Sequence, residues 1–202
     1  MRGLGATQRL AESVAAVLRP GDVLGLDGDL GAGKTTFVRH LARALGVTTP
    51  VTSPTFTLAN TYEAPESAIP VDRCIGDGQN PRSSDRPDDA AGCPLLIHHI
   101  DAYRLEGDAD AEDLAMAELL DSGGIVVVEW GERLTLPPDR LDLHFEFPPE
   151  PQQTPAGPEP SGGPMPSADP STEPIDTTDH RIATISPRGA GWRTRPVGIP
   201  PT

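Results

Sequence analysis

The stretch Asp22-Val-Leu-Gly-Leu-Asp-Gly-Asp-Leu-Gly-Ala-Gly-Lys-Thr-Thr-Phe37 decides how the chain folds. Its first part is a short apolar run that predicts a strand over 22–27. Gly28 to Thr35 then has the spacing of a phosphate-binding P-loop. Gly28, Gly31 and Gly33 let the backbone turn tightly and aim successive N–H groups at a polyphosphate, and a helix after the loop adds its positive end. Phe37, Leu41, Ala44 and Leu45 recur at helical spacing and predict that helix over 34–45. The chain has fifteen arginines and one lysine, Lys34, which stands where the loop needs a cation to reach phosphates. Thr35 follows with a hydroxyl suited to Mg²⁺.

Outward from this loop, the pattern predicts a helix at 6–18, strands at 55–62 and 95–101, a helix at 110–121, and strands at 124–129, 140–147 and 180–186. Strands alternating with helices make this an α/β chain with a P-loop NTPase-like, mostly parallel or mixed sheet flanked by helices in a single domain. The last two strands arrive without an intervening helix, so one edge is expected to be antiparallel or mixed.

Two segments do not belong to that core. Residues 64–94 are rich in Pro, Asp, Arg, Ser and Gly and read as an exposed irregular insertion. Between Pro148 and Pro174, ten of 27 residues are proline with no apolar periodicity, so 148–177 reads as a Pro-rich disordered linker. The expected organisation is a P-loop core over 1–147 carrying the 64–94 insertion, the linker, a returning strand within 178–195 and a tail at 196–202. Without the two irregular segments roughly 134 residues remain, enough for one compact core.

The net charge of −14 over 202 residues argues against this chain wrapping a polyanion by itself, because nucleic-acid affinity rests on clustered Lys and Arg. A basic protein surface is the better partner. No apolar run is long enough for a membrane span and no charged start leads into an apolar signal core, so a cytoplasmic location is expected. Cys74 and Cys93 both fall in the irregular insertion, where neither a disulfide nor a zinc site is indicated.

Ile125-Val-Val-Val128 followed by Glu129-Trp130 is a β-branched run ending in a carboxylate, which is how a central strand delivers an acid to the C-terminal edge of a parallel sheet. Glu129 is therefore a candidate to hold Mg²⁺ and to orient an attacking water. In Leu95-Leu-Ile-His-His-Ile-Asp101, alternation places Leu95, Ile97, His99 and Asp101 on one face. Asp101 could organise metal-bound water or serve structure; His99 reads as a structural histidine that fixes a loop, and His98 points the other way. Thr52-Ser-Pro-Thr-Phe56 is a stiffened loop before a strand. Phe56 and Trp130 are core aromatics by default, with base stacking as the alternative. Tyr103-Arg104-Leu105 offers a cation near the same edge.

The succession GDLGAGKTTFVRHLARALG, SPTFTLANTYE, HIDAYRLE, IVVVEWGERL and LPPDRLDLHF resembles the TsaE (YjeE) family, small bacterial P-loop ATPases of tRNA threonylcarbamoyladenosine biosynthesis. The resemblance runs from the first helix through Phe147 and resumes at His180-Arg-Ile-Ala-Thr-Ile-Ser-Pro-Arg-Gly. It implies that Asp29, Leu30, Gly31, Ala32, Gly33, Lys34, Thr35 and Thr36 bind ATP, and that Trp130 lies beside the nucleotide. It also implies that Thr35 and Glu129 hold Mg²⁺, that Lys34, Glu129 and Asp101 carry catalysis, and that Ser53 to Phe56 form a switch-like loop. The implied partners are TsaB-like and TsaD-like proteins, with tRNA contacted through the complex. The insertions exceed the compact family pattern, and residues around them inherit nothing from it.

Other readings share the loop. A P-loop small-molecule kinase would need an acceptor pocket and a mobile lid with arginines, for which Arg82 and Arg86 are the available pair. A GTPase would need a guanine-reading Asn-Lys-x-Asp, impossible when the only lysine is already in the loop. A nucleotide-dependent interaction module with negligible hydrolysis is the third.

Overall fold

In the computed structural model the described residues are 4–54, 57–65, 95–105, 116–147 and 182–198. Cys74, Cys93, Arg82, Arg86 and the 148–177 segment lie outside them, as do Thr55 and Phe56.

Among the described residues six strands form one sheet: β1 (Val23–Gly28), β2 (Ala59–Ala64), β3 (Leu95–Asp101), β4 (Ile125–Glu129), β5 (Arg140–Glu146) and β6 (Ile182–Arg188). Their order across the sheet is β2-β3-β4-β1-β5-β6. The four inner strands are mutually parallel. Both outer strands run antiparallel to their neighbours, β2 against β3 and β6 against β5. One antiparallel edge was expected from the helix-free approach of the last two strands; the β2 edge carried no such sign. That strand also starts later than the 55–62 pattern implies, because the amides of Thr57 and Leu58 turn back to the Pro54 carbonyl and Leu58 takes a left-handed conformation (φ 64°) before pairing begins.

Apolar side chains leave β4 on both faces, so Ile125 to Val128 are all buried, each contributing roughly 1.5–3 kcal/mol by removal from water. On one face the sheet meets α1 (Leu4–Ala15) and α2 (Lys34–Ala44) through Leu10, Val14, Phe37 and Leu41. Ala44, at the spacing of that stripe, is exposed, while Val38 and Ala42 are buried in its place. On the other face Val23, Ile100, Val126 and Val128 pack with Leu119 and Leu120 of α3 (Met116–Asp121), the described end of the helix expected over 110–121. His98 belongs to this second face: its ring nitrogens lie 3.0 Å from Thr61 Oγ1 and 2.9 Å from Ser122 Oγ, and burial pushes its pKa down.

Beyond β6 the chain adds a short helix, α4 (Gly189–Arg193), absent from the sequence reading. It seats Trp192, only 1% exposed, in the first core. Arg195 stacks on that indole at 4.6 Å and donates to Asp22 Oδ2 at 2.6 Å. Among the described residues no helix is long and apolar enough to cross a membrane.

Candidate functional site

β1, β3 and β4 end side by side, with Glu129 opposite Leu26 on one flank and opposite Asp101 on the other. This is the C-terminal edge of the parallel strands, where open α/β sheets bind ligands. His99, Asp101 and Glu129 lie on the α2 face of the sheet, so the alternation read from the sequence holds.

The loop leaves β1 at Gly28, whose φ of 116° brings it so close to the Phe145 backbone that any Cβ would collide with that carbonyl. It enters α2 at Gly33, also left-handed (φ 107°), which caps the helix without a side chain. The first N–H groups of α2 therefore have no capping side chain and carry the positive end of the helix dipole.

Lys34 is 5% exposed. Its Nζ donates to the carbonyls of Gly28 (2.6 Å) and Asp29 (2.8 Å) and lies 3.7 Å from the Trp130 ring centroid. Burial pushes its pKa down, and Glu129 is the foremost of the acidic neighbours that oppose this, ahead of Asp27, Asp101 and Asp29. Thr35 Oγ1 donates to Glu129 Oε2 at 3.0 Å, while His99 Nε2 stands 2.8 Å from Glu129 Oε1. Asp101 accepts from Ser53 Oγ at Oδ2 (3.3 Å) and from the Tyr103 amide at Oδ1 (3.1 Å).

Trp130 follows β4 in a left-handed conformation (φ 60°), with its amide on the Leu26 carbonyl at 2.7 Å. The next turn is pinned by Asp27 Oδ1, which accepts from the Glu132 amide at 2.9 Å. Burial raises the Asp27 pKa, with the Glu132 amide pulling the other way. Tyr103 packs on Trp130 with ring centroids 5.1 Å apart.

These groups enclose a pocket of about 330 Å³. Of the residues singled out in the sequence, Leu30, Gly31, Gly33, Lys34, Thr35, Thr36, Asp101, Glu129 and Trp130 line it. Asp29 and Ala32 do not: Asp29 takes part through its carbonyl on Lys34, and Ala32 is buried beneath the loop. Ser53 lines the wall beside Asp101, whereas Arg104 is exposed outside and Tyr103 takes the place on the rim. His99 holds a carboxylate, not a loop as its sequence position suggested. A hydroxyl and a carboxylate 3.0 Å apart, facing the phosphate loop, form an all-oxygen pair that suits a hard divalent cation completing its shell with phosphate and water.

A mixed sheet whose first parallel strand feeds a glycine loop and a buried lysine at a helix start defines the class: an α/β protein of the P-loop NTPase type. Comparison with known proteins narrows it. The family described as "Threonylcarbamoyl adenosine biosynthesis protein TsaE" matches residues 1–73 and 88–154. The tRNA threonylcarbamoyladenosine biosynthesis protein TsaE of Bacillus subtilis (strain 168) is 37% identical over 139 residues, 68% of this chain and 69% of that protein. The protein of the same name from Streptomyces coelicolor is 39% identical over 142 residues, 69% of this chain and 78% of its own length. That from Treponema pallidum is 34% identical over 128 residues, 63% of this chain and 73% of its own. The chain belongs to the TsaE family.

Proposed function

We propose that this chain is the ATP-binding and ATP-hydrolysing subunit of the cytoplasmic bacterial machinery that makes threonylcarbamoyladenosine next to the tRNA anticodon, acting with TsaB-like and TsaD-like partners. The family membership supports the pathway. The observation that carries the activity is the convergence of Lys34, Thr35, Glu129 and Asp101, from separate parts of the chain, on one pocket beside the phosphate loop.

In this reading Lys34 Nζ leaves the carbonyls of Gly28 and Asp29 for phosphate oxygens, exchanging neutral acceptors for charge-assisted ones that are about twice as strong. The uncapped amides at the start of α2 bind the same phosphates. Thr35 Oγ1 and Glu129 Oε2, now bonded to each other, are the groups that would hold Mg²⁺, which when bound neutralises charge building on the phosphate oxygens. Asp101, fixed by Ser53 and Tyr103, orients water at the pocket wall, and Glu129 aligns the water that attacks. Trp130, braced by Tyr103, covers the site. The net charge of −14 suits a subunit that docks on protein while others hold the tRNA.

The test is ATP hydrolysis by the purified chain, alone and with TsaB-like and TsaD-like proteins from the same source plus unmodified tRNA. Phosphate release that rises with the partners and supports repeated tRNA modification is expected. Partner-independent transfer to a small acceptor would replace this reading with a kinase.

A further inference from the structure

We propose that His99 is a positioning residue for Glu129: a buried imidazole donates from Nε2 to one carboxylate oxygen, leaving the other turned toward the phosphate loop. The inference rests on the reading of the pocket as a Mg²⁺–ATP site and adds to it a residue that never touches the nucleotide.

His99 is 0% exposed, and its Nε2 lies 2.8 Å from Glu129 Oε1. Its other nitrogen, Nδ1, is buried with no hydrogen-bond partner among the described residues. That asymmetry fixes the proton. Were it on Nδ1, an N–H would be stranded in the core while the Nε2 lone pair faced a carboxylate oxygen, two acceptors in contact. Protons on both nitrogens would strand the same N–H. A proton on Nε2 alone leaves only one lone pair unmatched and makes the 2.8 Å contact a donor–acceptor bond.

The consequence falls on the second oxygen. Among the described residues Oε2 takes its only hydrogen bond from Thr35 Oγ1, a rotor that can turn away when a cation arrives. Oε1 is held by a ring on the adjacent parallel strand, where Asp101 is the register partner of Glu129 and His99 precedes it by two residues on the same face. The carboxylate cannot swing without breaking that bond. Donors of this kind behind a metal-binding group are worth roughly 10–100-fold in metal affinity or activity.

The first measurement is direct: ¹⁵N-histidine spectra of the nucleotide-free full-length chain, with His99 assigned by loss of its signals in His99→Gln. A protonated Nε2 and a bare Nδ1 are expected; a proton on Nδ1 would overturn the proposal whatever the variants do. The second is ATP affinity by calorimetry with and without Mg²⁺. His99→Leu should keep the Mg²⁺-free affinity and lose roughly 10–100-fold of the gain that Mg²⁺ supplies. His99→Gln, whose amide nitrogen reaches about where Nε2 stands, should restore most of it. A purely structural histidine would instead lower the melting temperature and weaken binding equally in both conditions. If wild type gains from Mg²⁺ and His99→Leu gains as much, only this inference fails. If wild type binds no ATP, or gains nothing from Mg²⁺, the site reading fails and takes the inference with it.

Discussion

The two ends of β1 bury charge in opposite ways. At its N-terminal end Asp22 is closed off: Oδ2 takes Arg195 at 2.6 Å and the Arg19 amide at 2.6 Å, and the arginine is itself stacked on Trp192. At the other end Lys34 is buried against two carbonyls and an indole, and Glu129 against a hydroxyl and an imidazole. The first set has its full countercharge in place and fastens the fold. In the second, the two carbonyls on Lys34 and the Thr35 hydroxyl on Glu129 are partners that a ligand can displace, which is what a binding site needs. Desolvation is offset in part by a permanent ion in one case and is left for the ligand to offset in the other.

Three experiments press on that contrast and a fourth stands outside it. The largest effect is expected from Glu129→Gln, which should lower ATP turnover by about 1,000-fold, within the range for a lost base or water-orienting group, while nucleotide still binds. Single-turnover kinetics with partners present checks it, and turnover near wild type would remove Glu129 from the chemistry. Arg195→Ala should cost about 3 kcal/mol of stability in urea unfolding, because it strands a buried carboxylate, yet leave ATP affinity alone. An equal loss of affinity would mean the two ends of β1 are not separate.

This variant also has a signed pH dependence. Burial already raises the Asp22 pKa above its ordinary value, and the Arg195 hydrogen bond is the chief influence opposing it. A raised folded-state pKa means the folded chain holds the proton better, so the Asp22 contribution falls as pH rises from the ordinary aspartate value through the folded one. Without Arg195 that shift grows. The deficit of Arg195→Ala should therefore shrink between pH 7 and about pH 4, where aspartate protonates; a deficit that widens in acid would contradict the account.

Lys34→Ala should weaken ATP binding about 100-fold, roughly 2.7 kcal/mol, as charge-assisted contacts are lost. It should do little to stability, since a lysine whose pKa burial depresses is not an asset to the empty fold. Calorimetry and thermal melts separate the two. The smallest effect concerns neither end. Glu146 and Ile182 are register partners across the β5–β6 pair, so replacing 148–177 by a short linker should leave a hairpin that closes readily and gain about 1–2 kcal/mol from loop entropy. Loss of cooperative unfolding would show that the segment does more than connect.

The parts of this protein that were legible in sequence are those whose signal is local. The P-loop needs its glycines and lysine within a few residues, and the Ile125–Glu129 run announces both a buried strand and the acid at its end. Alternation along β3 placed His99 and Asp101 together because a strand repeats every two residues. What was missed depends on partners far apart. Nothing near Arg195 tells that it meets Asp22, 173 positions earlier. The Glu129 contact of His99 required knowing that β3 lies beside β4, and the antiparallel β2 edge required the turn that begins at Pro54.

The Asp22–Arg195 bond has a consequence in time. At ordinary rates of synthesis the ribosome releases Asp22 some ten to thirty seconds before Arg195 exists. Through that interval the first parallel strand can emerge and find β4, but its aspartate has no arginine to meet and the slot for Trp192 stands empty. The nascent chain thus carries its phosphate loop long before the bolt at the far end of β1, and a ribosome stalled short of residue 192 would present a half-fastened sheet to chaperones.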